Sequence, residues 1–409
     1  MNVIDSGNVA AATAVKLAKA DVIAAYPITP QTPLTEKLSQ MIDEGEMDAE
    51  YVAVESEHSA LAVCIGAASA GVRAFTATSA NGLLYMSEQV HWAAGARLPL
   101  VMCVVNRGVG APWTVWNDHQ DSISQRDAGW IQIYVKDHQE IMDTTIKAFR
   151  LAEEVSIPVM VCYDGYYLSH TYMPYDVPEQ EKVDQFLPPY HYKHTLTPEA
   201  PENLNSVTMP DTRKDIRGDA APCYMDIRYN LHDEMIQSIE KFEAIDSAFQ
   251  EIFERGGNPV VTPYRMDDAE HVVVAMGTLA NQFKVVIDRI REESGIKVGV
   301  LAINLYRPFP IDYIIKALEG RKGVVVYEKA LSYGNQGALF GDVKSALYPC
   351  EKRPVIQNHI IGLGGREIKT DTLYETLIAS CRKADENSGI TDTPNWVGLQ
   401  TVEPTAAER

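Results

Sequence analysis

Cysteine is sparse and scattered. Cys64, Cys103, Cys162, Cys223, Cys350 and Cys381 contain no Cys-x-x-Cys pair, and that spacing argues against an iron–sulfur cluster carried by this polypeptide. Cys103 and Cys162 fall in apolar runs and read as small buried hydrophobes of a protein kept in a reducing cytoplasm. Long hydrophobic runs are also lacking. No stretch approaches the roughly 18 continuous apolar residues of a membrane span, and "MNVIDSGNVAAATAVKLAKA" has no basic start leading into an apolar core, so no secretory signal is expected. Positive charge is in deficit, with 36 bases against 56 acids and a net charge of −20. Such a field repels phosphate backbones and excludes nucleic acid as an expected partner. What remains is globular: 409 residues, 46% of them hydrophobic, suffice for two or three cores.

The apolar runs recur at helix-separated intervals. "DVIAAY" (21–26), "LPLVMCVV" (98–105) and "IPVMVCY" (157–163) are near-continuous rather than alternating, as strands buried on both faces of a parallel sheet are. Helical stretches such as 59–71 and 139–154 lie between them, so the pattern predicts an α/β domain. A Pro-, Asp- and Asn-rich stretch, 187–227, reads as an extended connector that ends a first domain of residues 1–232. Met235, Ile239, Phe242, Ile245, Phe249 and Ile252 then follow helical spacing and Gly256-Gly257 stops the run, giving a linking helix over 233–258. A second alternation, from "HVVVAMG" (271–277) through "GVVVYEK" (323–329) and "HIIGLGG" (359–365) to a helix over 372–384, predicts a second parallel-sheet domain over 259–384. The tail, 385–409, is polar and expected to be extended.

Three segments of the first domain carry chemistry. In "AAYPITPQTPLTEKL" (24–38) the prolines fix torsions and remove donors around Thr29 where a strand hands over to a helix. Thr32 is placed to cap that helix and Pro33 to start it. Thr29 is either a pinned ligand-binding side chain or plain turn chemistry. In "AVESEHSALA" (53–62), Glu57 stands with Glu55 and His58 at a helix start. It is either a partner for the helix dipole or a half-buried carboxyl that handles a proton. The third, "NRGVGAPWTVWNDHQDSISQRDAGW" (106–130), follows a buried strand, where open α/β sheets bind ligands. Asp118, His119 and Asp121 lie too close in one loop to converge readily on a metal, so no metal site is expected. Arg107 is suited to grip a carboxylate with two hydrogen bonds. The glycines of "LGGRE" and "SYGNQGALFGDV" read as turns rather than as a dinucleotide fingerprint.

"YPITP", "ESEHSA", "TATSANGLLYM", "NRGVGAPWTVWNDHQDSISQRDAGW", "DGYYLSH", "AINLYRPFP" and "GLGGREIKTDTL" occur in this order. Over about residues 5–380 the chain thereby resembles the alpha subunits of the 2-oxoacid:ferredoxin oxidoreductases, of the pyruvate synthase or phenylglyoxylate dehydrogenase type. The resemblance implies a pyrimidine-binding thiamine diphosphate domain followed by a transketolase C-terminal-like domain. It also implies oxidative decarboxylation of a 2-oxo acid with coenzyme A to acyl-CoA and CO2. Glu57 matches the family glutamate against the aminopyrimidine, Thr29 a threonine at the substrate carboxylate, and Arg107 its arginine partner. Pro27, Ile28, Ser79, Asn81 and Gly82 match the cofactor-side loops. Where relatives tend to carry an aliphatic residue after Ala-Pro, this chain has Trp113, which leaves pyruvate or an aryl 2-oxo acid such as phenylglyoxylate as substrate.

The Gly-Asp-Gly motif that usually holds magnesium and the diphosphate is missing; Asp164-Gly165 follows a tyrosine. The resemblance therefore implies a beta subunit that supplies that half of the site. It further implies gamma and iron–sulfur delta subunits, a ferredoxin or NAD-linked electron acceptor, and a dimer of heteromers. Two other readings stay open: a non-catalytic scaffold subunit, and a self-sufficient transketolase-like enzyme.

Overall fold

The computed structural model describes residues 1–190, 224–388 and 393–400. The chain opens with β1 (Asn2–Ser6), α1 (Gly7–Leu17), β2 (Val22–Ala25), α2 (Thr32–Asp43), β3 (Glu50–Ala53) and α3 (Glu57–Ser69). It continues with β4 (Ala74–Thr78), α4 (Ala80–Tyr85), α5 (Ser87–Gly95), β5 (Val101–Asn106), α6 (Gln120–Ile123) and β6 (Ile131–Tyr134). After α7 (His138–Val155) come β7 (Val159–Asp164), β8 (Tyr172–Asp176), α8 (Gln180–Phe186) and α9 (Tyr224–Phe253). The remainder is β9 (Val261–Tyr264), β10 (His271–Ala275), α10 (Gly277–Ser294), β11 (Val298–Ile303), β12 (Leu305–Arg307) and α11 (Ile311–Leu318). It ends with β13 (Gly323–Glu328), α12 (Ala338–Leu347), β14 (Val355–Ile361), α13 (Thr370–Asp385) and β15 (Asn395–Val397). Among the described residues no helix is long and apolar enough to cross a membrane.

Two compact units result. One comprises Met1–Thr262, Met276–Thr278 and Ala302–Pro310; the other comprises Pro263–Ala275, Leu279–Leu301 and Ile311–Arg409. The sheet of the first runs β12-β6-β7-β5-β4-β2-β3. It is parallel except for β12, which joins β6 antiparallel. β5 and β7 are buried at every position, as their unbroken apolar runs require. Cys103 and Cys162 lie on them, and burial raises both thiols, Cys103 to about 12. β2 lies between β3 and β4, so the order of strands reverses about it. The C-terminal ends of β2 and β4 therefore border a topological switch point, where loops leave a crevice for ligand.

Two local expectations change. Gln31, not Thr32, precedes the helical residues of α2, and no side chain caps it. The Ile28 carbonyl already accepts from the N–H groups of Gln31 and Thr32, so the Pro-rich corner closes its own turn. The long helix starts at Tyr224, inside the stretch expected to be extended, and residues 191–223 lie outside the described residues. Its buried face is Leu231, Ser238, Phe242, Ile245, Asp246, Phe249 and Phe253. Phe186 meets Phe249 edge-on at 5.2 Å, and Lys147 pairs with Asp246 at 2.7 Å away from water, which fixes the rotation of the helix against α7. Within the polar tail Asn395–Val397 is extended, as expected, and pairs in parallel with β14.

In the second unit the sheet order is β15-β14-β13-β10-β11-β9. The buried Glu328, at the end of β13, accepts from Leu339 N–H (2.9 Å), Phe340 N–H (3.1 Å) and Asn358 Nδ2 (2.8 Å). This explains Gly337 in "SYGNQG": a Cβ there would lie 1.7 Å from Glu328 Oε1. Burial raises the Glu328 carboxyl to about 7, against these donors. The folded state thus holds its proton more tightly than the unfolded chain, and stability is highest below the ordinary glutamate pKa and is lost as pH rises through 7. The loss should reach about 3 kcal/mol in all, of which about 2 kcal/mol falls between pH 5.5 and 8, since the carboxyl moves from its ordinary 4.5 to about 7 and each pH unit is worth about 1.4 kcal/mol. Differential thermal unfolding of the wild type and Glu328→Gln at pH 5.5 and 8 checks it: the wild type should lose more Tm between the two than the variant does.

Candidate active site

The sequence-predicted residues follow the C-terminal ends of adjacent strands of the first unit, and hydrogen bonds join the segments that bear Thr29, Ser79 and Arg107. Glu57 is the first residue of α3. Ser56 caps that helix by accepting from Ser59 N–H (3.2 Å), so the start of α3 is fixed without help from the glutamate. Glu57 is 9% exposed, and among the described residues its carboxylate has no hydrogen-bond partner. Glu55 and His58 turn elsewhere: Glu55 accepts from the Ser59 hydroxyl, and His58 meets Gln89 at 3.1 Å. Gly82, in α4, makes room for the acid. A Cβ at 82 would stand 2.7 Å from Glu57 Oε1, 2.9 Å from its Cγ and 2.6 Å from Thr78 Oγ1. Among the described residues the buried Thr78 hydroxyl is also without a partner.

The loop bearing Gly82 is tied to the loop bearing Arg107. Ser79 Oγ donates to Val105 O (2.6 Å), and Asn81 Oδ1 accepts from Gly110 N–H (3.0 Å). Asp121 Oδ2 accepts from both Ala80 N–H (3.0 Å) and Arg107 N–H (2.9 Å). The guanidinium of Arg107 in turn donates from Nε to Thr114 O (2.7 Å) and from Nη1 to Thr29 O (2.9 Å). It makes no ion pair with a described acid, and burial lowers its pKa while Asp121 and Tyr166 oppose that. With Nε and Nη1 both engaged, Nη2 is the nitrogen of this buried guanidinium left for an anion.

The Thr29 corner is pinned from beneath. Asn8 Nδ2 donates to Pro30 O (2.9 Å), and Tyr163 OH donates to Asn8 Oδ1 (2.9 Å). Pro27 and Thr29 are exposed, and Ile28 N–H donates to Gln31 Oε1 (3.2 Å). Thr29 thus stands at the rim, while Glu57, Ser79, Gly82 and Arg107 form the buried part. Trp113 is 73% exposed, with the Arg107 guanidinium carbon 5.9 Å from its ring centre.

The run 118–121 divides its polar groups. His119 Nε2 meets Asp164 Oδ1 at 2.7 Å, both fully buried. Asp121 turns to the amides of Ala80 and Arg107 and to the Asn106 side chain, and burial raises it to about 6 in spite of these donors. Asp164, the acid beside Gly165, is therefore engaged with His119. Sequence reasoning missed Asn8, Asn106, Asp121 and Asp164 as parts of the site. Asn106, a polar residue closing the apolar run of β5, was the one legible signal.

Residues 13–236 match the family described as pyruvate flavodoxin/ferredoxin oxidoreductase, thiamine diP-bdg, and residues 269–373 match pyruvate:ferredoxin oxidoreductase core domain II. Over 400 residues the chain is 45% identical to pyruvate synthase subunit PorA of Methanocaldococcus jannaschii, covering 97% of both chains. It is 40% identical over 396 residues to ketoisovalerate oxidoreductase subunit VorA of Pyrococcus abyssi, again covering 97% of both. The fold is similar to that of 2-oxoglutarate:ferredoxin oxidoreductase from Magnetococcus marinus, solved with 2-oxoglutarate, coenzyme A and succinyl-CoA bound. That likeness has a TM-score of 0.67 at 19% identity and spans 93% of this chain and 65% of that one. A split-gene transketolase matches with a TM-score of 0.51 at 14% identity, over 93% of this chain and 95% of its own.

Proposed function

This chain belongs to the alpha subunits of the 2-oxoacid:ferredoxin oxidoreductases, and from that membership we propose that it supplies the pyrimidine-side half of a thiamine diphosphate site for oxidative decarboxylation of pyruvate to acetyl-CoA. The observation that carries the reading is the Glu57 carboxylate, buried, unpartnered among the described residues, and lodged against a glycine whose missing Cβ leaves it room. A carboxylate kept almost out of water and bonded to no described donor leaves its acceptor positions to a ligand, so these residues fit an aminopyrimidine. Thiamine diphosphate, when bound, supplies the nucleophilic carbon and the electron sink that decarboxylation of a 2-oxo acid needs. Glu57 holds a proton at a ring nitrogen, with Ser79, Asn81, Gly82, Pro27 and Ile28 forming the wall beside it.

Arg107 binds the substrate carboxylate through Nη2, the nitrogen that neither Thr29 nor Thr114 uses, and Thr29 orients it from the rim. Their task is alignment of the bond to be cleaved; a tighter hold on the carboxylate than on the transition state would slow its loss. Asp164 is engaged with His119, which supports a partner beta subunit holding the metal and the diphosphate. Coenzyme A as co-substrate, gamma and delta subunits with iron–sulfur clusters, and a ferredoxin or NAD-linked acceptor complete the proposed complex in the cytoplasm.

Trp113 favours a second substrate, an aryl 2-oxo acid such as phenylglyoxylate, because its ring is exposed beside Arg107. Steady-state profiling of the assembled complex decides between them, with pyruvate expected to show the higher kcat/KM. An aromatic pair contributes about 0.5–1.5 kcal/mol beyond its buried area. Trp113→Leu should therefore lower the phenylglyoxylate-to-pyruvate ratio of kcat/KM by about threefold or more. A ratio that favours phenylglyoxylate in the wild type and collapses in the variant would replace pyruvate by the aryl acid.

A further inference from the structure

We infer that Asp121 is a positioning residue that sets the separation between the cofactor-side turn and the substrate-binding arginine, by fastening both to one oxygen atom. The inference rests on the reading above of Arg107 and of the 79–82 turn. Asp121 lies on α6, outside both segments, and touches neither proposed ligand. Its Oδ2 accepts from the N–H groups of Ala80 and Arg107; its Oδ1 accepts from Asn106 Nδ2 (2.8 Å) and Ser122 N–H (2.8 Å). A fully buried carboxylate is expensive to desolvate and is justified where all of its acceptor positions are filled. Here four donors meet one acid.

The turn needs such a hold. Ala80 has φ +45°, the left-handed region that a residue with a Cβ seldom adopts. Accepting its N–H directs that strained peptide, and two residues later Gly82 meets Glu57. Arg107 is held by the same oxygen, so the two halves of the site share one anchor although 27 residues separate them in sequence (107 − 80). An asparagine at 121 keeps the size but must turn an NH2 group toward one pair of donors.

The test compares Asp121→Asn with Arg107→Gln in the assembled complex, reading kcat, the KM of the 2-oxo acid and the half-saturating thiamine diphosphate. Asp121→Asn should raise both concentration constants, each about tenfold, as expected for one misdirected buried hydrogen bond. Its kcat at saturation should stay within about threefold of the wild type. A fall in kcat with both constants unchanged marks a merely structural acid and overturns the inference, as does a shift in one constant alone. Ala80→Gly in the Asp121→Asn background should restore the thiamine diphosphate constant, because glycine takes positive φ unaided, and leave the KM raised. If Asp121→Asn does not assemble, Asn106→Ala, which removes a donor from Oδ1, must shift both constants in the same direction or the inference falls. Should Arg107→Gln leave KM unaltered, the proposed carboxylate grip fails and takes this inference with it. A raised KM in Arg107→Gln beside an unaltered Asp121→Asn defeats the clamp alone.

Discussion

Glu57→Gln is expected to lower acceptor reduction by the assembled complex about a thousandfold while the complex forms as before. Glutamine keeps the size and can still donate an N–H, but it has no acidic proton to transfer to a ring nitrogen, and a positioned acid–base group is worth about 10²–10⁴ in rate. Assembly should be spared because Ser56, not Glu57, caps α3, and because the carboxylate bonds to no described neighbour that the amide would lose. Steady-state turnover alongside size-exclusion chromatography reads both quantities. Turnover within a few-fold of the wild type would leave this chain a scaffold. Turnover by the isolated chain would instead make it self-sufficient.

Gly82→Ala is the second large effect, and it separates geometry from chemistry. Alanine is the better helix former by about 1 kcal/mol, so α4 itself is not weakened. The new methyl, however, must share space with Thr78 Oγ1 at 2.6 Å and Glu57 Oε1 at 2.7 Å. Thr78 is short and sits on the fully buried β4, so the long Glu57 side chain is the one that gives way. A displacement of about 1 Å at a reacting group costs on the order of 10²-fold in rate. The expected result is a hundredfold lower kcat with little change in Tm. A variant that turns over normally would show that the carboxyl position seen here is not the working one, even if Glu57→Gln is inactive.

Much of the architecture was legible because it follows from local rules. Unbroken apolar runs had to be doubly covered strands, and Gly256-Gly257 had to stop a helix. The start of α9 was not legible from composition. Pro, Asp and Asn around 187–227 suggested an extended path, whereas Tyr224 and its successors join a helix held on its far turns by Phe249, Phe253 and Asp246. Tertiary packing overrode a weak local preference there. The site divided in the same way. Glu57 and Arg107 are legible as charged residues closing apolar segments, while in the sequence Asp121 is only one acid of the Asp-His-Gln-Asp run.

By itself the sequence determined the strand–helix alternation, the stiff corner around Thr29 and the motifs that mark the family, since each depends on residues a few positions apart. The tertiary structure alone decided that Asp121 serves amides at 80 and 107, that His119 engages Asp164, and that Gly82 is the space Glu57 occupies. Those partners lie 14 to 45 residues apart. A hydrogen bond across such a distance is set by the order of strands in the sheet, which no local pattern encodes.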